Sequence, residues 1–150
     1  MTVDVTTEID IESPCSEVAA FAADPNNATA WYEDIESVRW ETPPPLGVGS
    51  RVAFVAHFLG RHLAYTYEMR EFVAGERLVM STDAGPFPME TTYTWTDTPS
   101  GGTHVTLRNH GRPAGFGRLA APLMAMQVRR ATSRNLALLK RILENPTARG

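Results

Sequence analysis

The stretch APLMAMQVRRATSRNLALLKRI, residues 121–142, decides how the rest of this 150-residue chain is read. Within it Ala121, Met124, Val128, Ala131, Asn135, Leu138 and Ile142 recur at steps of three and four, the spacing of one face of an α-helix. Arg130, Ser133, Ala137 and Lys140 fall roughly opposite. The pattern starts near Gly115 and stops at Asn145-Pro146, since proline cannot continue a helix. Pro122 is expected to kink the helix or to mark a break before its main segment. With one long helix in the chain, its apolar stripe has only a sheet to be buried against.

Upstream the signals are those of strands. Val3, Val5, Thr7, Ile9 and Ile11 alternate with Asp4, Thr6, Glu8, Asp10 and Glu12, which predicts a strand with one wet face. Ser13-Pro14 reads as a helix start, with Ser13 capping and Pro14 at the first helical position. That short helix ends at Asp24-Pro25. A second one over residues 26–32 carries Trp31 toward the interior. Strands are then expected at 35–41, 51–58, 62–72, 77–82, 89–95 and 104–109, separated by the turns Leu59-Gly60-Arg61, Ala74-Gly75 and Ser100-Gly101-Gly102. Consecutive strands with short turns make an antiparallel meander. The outline is α+β: a strand, two short helices, a meander and a long terminal helix, in a single domain spanning residues 1–150. A curved sheet around one helix leaves space between them, a common place for a ligand.

Composition sets the limits. A hydrophobic fraction of 43% and a charged fraction of 21% are those of a globular chain. The lone Cys15 forbids an internal disulfide and any cysteine-based metal cluster. With neither a leader-like start nor an apolar run near 18 residues, a soluble, cytoplasmic protein without an integral membrane segment is expected. Charge is polarised: residues 1–45 hold ten acids and one base, and residues 108–150 hold nine bases and one acid. The basic end can face the acidic end within the fold or serve as a docking surface for an anionic partner.

Reactive constellations are few. His57, His62, His104 and His110 show no His-x-x-x-His spacing with a glutamate, so no zinc-hydrolase motif is present. The expectation is no metal and no cofactor. Neither a Gly-x-Gly-x-x-Gly after a strand nor a Walker-type loop occurs, and no nucleic-acid partner is expected. The glycines at 111, 115 and 117 read as a strand-to-helix turn. Glu68 and Glu90 fall on the outward parity, which argues against a pair of catalytic carboxylates in the interior. His62, His104 and Arg108 are outward by the same reasoning.

The inward parity is aromatic and methionine-rich. It holds Phe54, then Tyr65 and Tyr67, Met80, Tyr93 and Trp95, and Asn109. Such a surface fits a filled core as well as a pocket for an apolar molecule carrying oxygens. Asn135, on the helix stripe, needs a hydrogen-bond partner wherever it is buried, from a ligand, a strand carbonyl or a water.

Three segments carry a resemblance: Gly85-Pro-Phe-Pro-Met-Glu-Thr-Thr-Tyr-Thr-Trp95, Val105-Thr-Leu-Arg-Asn109, and Gly115-Phe116 with Ala121-Pro-Leu-Met124. With the order of elements, they resemble the polyketide cyclase/dehydrase and lipid-transport group of the START-like (SRPBCC, Bet v 1-like) superfamily. The resemblance implies a helix-grip fold, a curved antiparallel sheet wrapped around the C-terminal helix. It also implies a small hydrophobic, lipid- or polyketide-like ligand held between the two. The lining set is then Trp31, Phe54, Tyr65, Tyr67, Met80, Tyr93, Trp95, Asn109 and Asn135, with Phe116, Leu119 and Leu123 near the mouth. One alternative is a cyclase or dehydratase using the same cavity, with a tyrosine or histidine assisting enolisation. Another is an interaction module built on the basic terminal helix. Fold alone does not choose among them, and the oligomeric state stays open, a homodimer included.

Overall fold

The alternating segments pair into one sheet. The computed structural model describes residues 3–58, 61–82, 88–111 and 117–145, with the side chains of residues 58, 61, 63 and 117–121 outside the description. Strands β1 (Val3–Ile11), β2 (Ile35–Trp40), β3 (Arg51–Phe58), β4 (Arg61–Val73), β5 (Arg77–Thr82), β6 (Met89–Asp97) and β7 (Thr103–Gly111) lie in the order β1-β7-β6-β5-β4-β3-β2, every pair antiparallel. Helix α1 (Cys15–Ala23), a 3-10 turn (Pro25–Asn27) and helix α2 (Ala28–Trp31) follow β1, and helix α3 (Gly117–Glu144) comes last. The sheet curves as a half-barrel around α3. Register shifts between Ile35 and Ser37 in β2 and between Met69 and Glu71 in β4 mark bulges, which bend strands and increase their twist.

The inward face is the predicted one. Val3, Val5, Thr7 and Ile11 are buried on β1, Thr91, Tyr93 and Trp95 on β6, and Val105 and Leu107 on β7. Asp4, Glu8, Asp10, Glu90 and Arg108 face out. Among the described residues no helix is long and apolar enough to cross a membrane.

Helix α3 differs from its expected phase. Leu136, Leu139 and Leu143 are its most deeply buried residues, while Leu138 and Ile142 are only partly buried. The line 124–128–132–136–139–143, buried except for the half-buried Val128, advances on average slightly further per step than the 3.6 residues of one turn. It therefore winds slowly round the helix as the helix crosses the curved sheet. Pro122 neither breaks α3 nor starts its main segment; it lies in the second turn of a continuous helix, where one backbone hydrogen bond is forfeited.

Ser13 also differs from expectation. Pro14, not Ser13, is the N-cap residue of α1, and no side chain caps that helix. The Ser13 hydroxyl instead donates to the Leu143 carbonyl at 2.9 Å, satisfying one of the last carbonyls of α3. Thr103 donates to the Ser13 carbonyl at 2.8 Å, the Glu12 amide to the Glu144 carboxylate at 2.8 Å, and Lys140 Nζ to the Asp10 carbonyl at 2.8 Å. These bonds clasp the C-terminal end of α3 to the corner between β1 and α1.

Two outcomes follow from this packing. Leu139→Ala should lower stability by about 2–5 kcal/mol, and Leu138→Ala by clearly less, in denaturant titrations. Equal losses would mean the helix phase is wrong. The Glu12 amide, followed by Lys140, holds the Glu144 carboxyl below its ordinary value of 4.5. A depressed carboxyl stabilises above its unfolded value, and that contribution fades as pH falls through the folded one. The melting-temperature difference between wild type and Glu144→Gln should be full at neutral pH and shrink steadily below about pH 4.5.

Candidate functional site

Between the sheet, α2 and α3 lies an apolar recess of about 170 Å³. The sheet supplies Phe54, Tyr67, Met69 and Tyr93, and the α1–α2 segment supplies Trp31 and Tyr32. Room is left by small side chains: Ala22, Ala23 and Ala28 on the helices and Ala56 on β3. Two of the ring pairs are arranged edge to face. Phe54 and Tyr67 have centroids 5.7 Å apart at 74°, and Trp31 and Tyr93 6.1 Å apart at 69°.

The recess continues into an outer cleft of about 410 Å³, with Tyr32, Ala56, Tyr65, Tyr67, Asn109 and Thr132 lining both. The cleft is more polar: Asp34, His57, Gln127, Arg134 and Asn135 border it. The middle of α3 explains the opening. Val128, Ala131, Thr132 and Asn135 are small or polar, and lie between the bulkier contacts made by Met124 and by Leu136, Leu139 and Leu143.

A line of polar groups crosses the apolar wall. Thr91 donates to Asn109 Oδ1 at 2.9 Å, and Tyr67 lines the recess together with them. Burial pushes the Tyr67 hydroxyl up to about 12, outweighing the opposing effect of the Thr91 hydroxyl. Burial raises Tyr93 still further, and Tyr65 as well. These phenols are therefore neutral at physiological pH, able to donate and unsuited to act as bases. The indole N–H of Trp31 is buried without a partner among the described residues, as is that of Trp95. Asn135 is buried, and its Oδ1 accepts from the Glu33 amide at 3.3 Å, tying α3 to the segment after α2.

Of the lining set expected from the sequence, Trp31, Phe54, Tyr65, Tyr67, Met80 and Tyr93 border the recess, Asn109 borders recess and cleft, and Asn135 borders the cleft. Trp95 does not reach either space; it is buried in the core, stacked on Tyr93 with centroids 6.0 Å apart. Its inward parity is right, but it lies nearer the clasped end, where the core is filled. Leu123 projects to solvent, 56% exposed, because it precedes the buried line by one position. Phe116 and the Leu119 side chain lie outside the described residues. Sequence reasoning missed the alanines, Tyr32, Thr91 and Thr132. Thr91 shares the parity of Tyr93 and was readable; the alanines carry no signal until the rings opposite them are known.

A curved seven-stranded antiparallel sheet gripping one long helix, with two short helices closing an aromatic recess, is the START-like, Bet v 1-like arrangement. The family model described as polyketide cyclase/dehydrase and lipid transport matches residues 2–144, and the chain belongs to that family. Solved structures agree. TTHA0849 from Thermus thermophilus is 22% identical with a TM-score of 0.80, the match covering 93% of this chain and 96% of that one. A START superfamily protein from Mycobacterium smegmatis is 10% identical with a TM-score of 0.82, covering 94% and 97%. The di-domain ARO/CYC protein StfQ from the steffimycin biosynthetic pathway is 12% identical with a TM-score of 0.80, covering 96% of this chain and 51% of that one. At these identities the likenesses establish the fold. No curated protein matches the sequence.

Proposed function

We propose that this protein binds a small hydrophobic molecule, lipid- or polyketide-like, with an apolar head in the recess and a more polar end in the outer cleft. The observation that carries the reading is the recess itself, ring-lined, with the Tyr67–Thr91–Asn109 groups set across one wall. A dry cavity of about 150 Å³ is enough for benzene, so the inner space suits a single ring or a short branched chain. The outer cleft brings the site into the roughly 300–1,000 Å³ range of ligand pockets. The unpaired Trp31 N–H favours a ligand with an acceptor oxygen, because a buried donor left unmade costs about 1–3 kcal/mol. Family membership supports the same class of cargo.

Holding is favoured over turnover. Among the described lining residues of the recess, the titratable groups are the neutral phenols and Asp24, whose carboxylate accepts from the Asn26 amide. A cyclase acting here would work by folding its substrate against the rings, with the phenols as donors.

Thr132 lines both spaces, and its hydroxyl is already bonded to the Val128 carbonyl of its own helix at 2.8 Å. Thr132→Leu should therefore leave the fold intact while filling the passage. Wild type should bind anilinonaphthalene sulfonate saturably, with competition by long-chain fatty acids or polycyclic phenols, and Thr132→Leu should lose most of that signal at unchanged melting temperature. Equal fluorescence in both proteins would refute a ligand site in the recess. Tyr67→Phe should weaken an oxygen-bearing competitor by about 2- to 12-fold, the range of one hydrogen bond, and leave a pure hydrocarbon competitor unchanged.

A further inference from the structure

On the outward parity of β3 and β4, away from the recess, three side chains converge. The register of these strands sets His57 directly opposite His62, so their side chains are neighbours on one face, with ring centroids 4.1 Å apart. Glu36 comes from β2 at the bulge between Ile35 and Ser37, where the His57 amide donates to the Asp34 carbonyl at 2.7 Å. The bulge aims its carboxylate between the rings: Oε1 lies 2.5 Å from His57 Nε2 and Oε2 lies 2.8 Å from His62 Nδ1. One donor atom from each residue lies within 4.8 Å of the others.

We propose that Glu36, His57 and His62 form a binding site for a divalent transition-metal ion of the zinc–nickel–copper class. Two imidazoles and one carboxylate are the donors such ions prefer. Around a tetrahedral ion with bonds of about 2.1 Å, donor atoms stand roughly 3.4 Å apart. To reach that spacing the carboxylate–imidazole distances of 2.5 and 2.8 Å widen and the remaining separation, within 4.8 Å, closes by at most about 1.4 Å, in side chains that are all at least 39% exposed. Among the described residues the ion pairs of Glu36 are both with these histidines, so no arginine or lysine competes for the carboxylate. The remaining positions on the ion are open to water. Three strands at one side of the sheet supply the donors, so a bound ion clips edge strand β2 to the β3–β4 hairpin. The site departs from the sequence-based expectation of no metal. It is also separate from the recess: Phe54, Ala56, Tyr65 and Tyr67 of the same strands line that space, and His57 reaches only the border of the outer cleft.

The test is calorimetric titration of the purified, chelator-stripped full chain with zinc chloride at neutral pH. Expected is one saturable site in the micromolar range, weakened at least about tenfold by each of His57→Ala, His62→Ala and Glu36→Gln, and unchanged in His104→Ala. His104 is the control because it too contacts carboxylates, those of Asp10 and Glu8. Zinc should also raise the wild-type melting temperature by on the order of 5 °C at a hundredfold excess over Kd, reversed by EDTA. Melting curves in EDTA check that each variant is folded, and the wild-type shift stands without any variant. No saturable binding, or binding indifferent to all three substitutions, overturns the proposal.

Discussion

Everything else in this fold depends on the fastening of α3 at its C-terminal end. Ser13, Glu12, Lys140 and Glu144 hold that end to the β1–α1 corner, while Leu136, Leu139 and Leu143 pack with Ile11, Val18, Trp31 and Trp95. Nearer its N-terminal end, Met124 packs on Val3 and Val5. A helix anchored at two places by large side chains, with small and polar ones between, cannot close onto a curved sheet along its whole length. The recess is the gap that results. It is kept open by packing elsewhere, which lets its walls be rings and alanines rather than a filled core.

The same arrangement explains how the charge is used. Basic residues of the C-terminal third meet acids of the first third: Arg108 pairs with Asp4 at 2.7 Å and Arg134 with Glu33 at 3.5 Å, while Arg129 donates to the Thr6 carbonyl. Exposed pairs of this kind contribute little stability each. Among the described residues, two bases of the C-terminal tract are thereby paired with acids of the first third.

Most of the architecture was legible because it rests on period and punctuation. The alternation of residues 3–12, the turns at Ala74-Gly75 and Ser100-Gly101-Gly102, and the three–four spacing after Met124 each report one local preference. The phase of α3 was not legible. Leu136, Leu138, Leu139, Ile142 and Leu143 offer two overlapping stripes, and the curvature of the sheet chooses between them. Ser13 was misassigned for a related reason: Ser-Pro is a good local helix start, but a carbonyl 130 residues away is the partner the hydroxyl finds. Of the site, the rings could be named from parity, whereas the alanines that leave the recess open are invisible until the sheet bends. The Glu36–His57–His62 cluster was half visible. A short turn expected around Leu59-Gly60-Arg61 brings His57 and His62 near one another, but only the bulge in β2 brings Glu36 to them.

The central claim is that the space between sheet and helix is a ligand site. Its most direct test is an amide-resolved NMR titration of the isotope-labelled protein with naphthol, a flat molecule with one oxygen. The account predicts saturable shifts concentrated at Tyr67, Thr91, Asn109 and Thr132, with the clasp residues Ser13 and Leu143 unmoved. Shifts confined to the outer surface, or spread evenly over the chain without saturation, would contradict it.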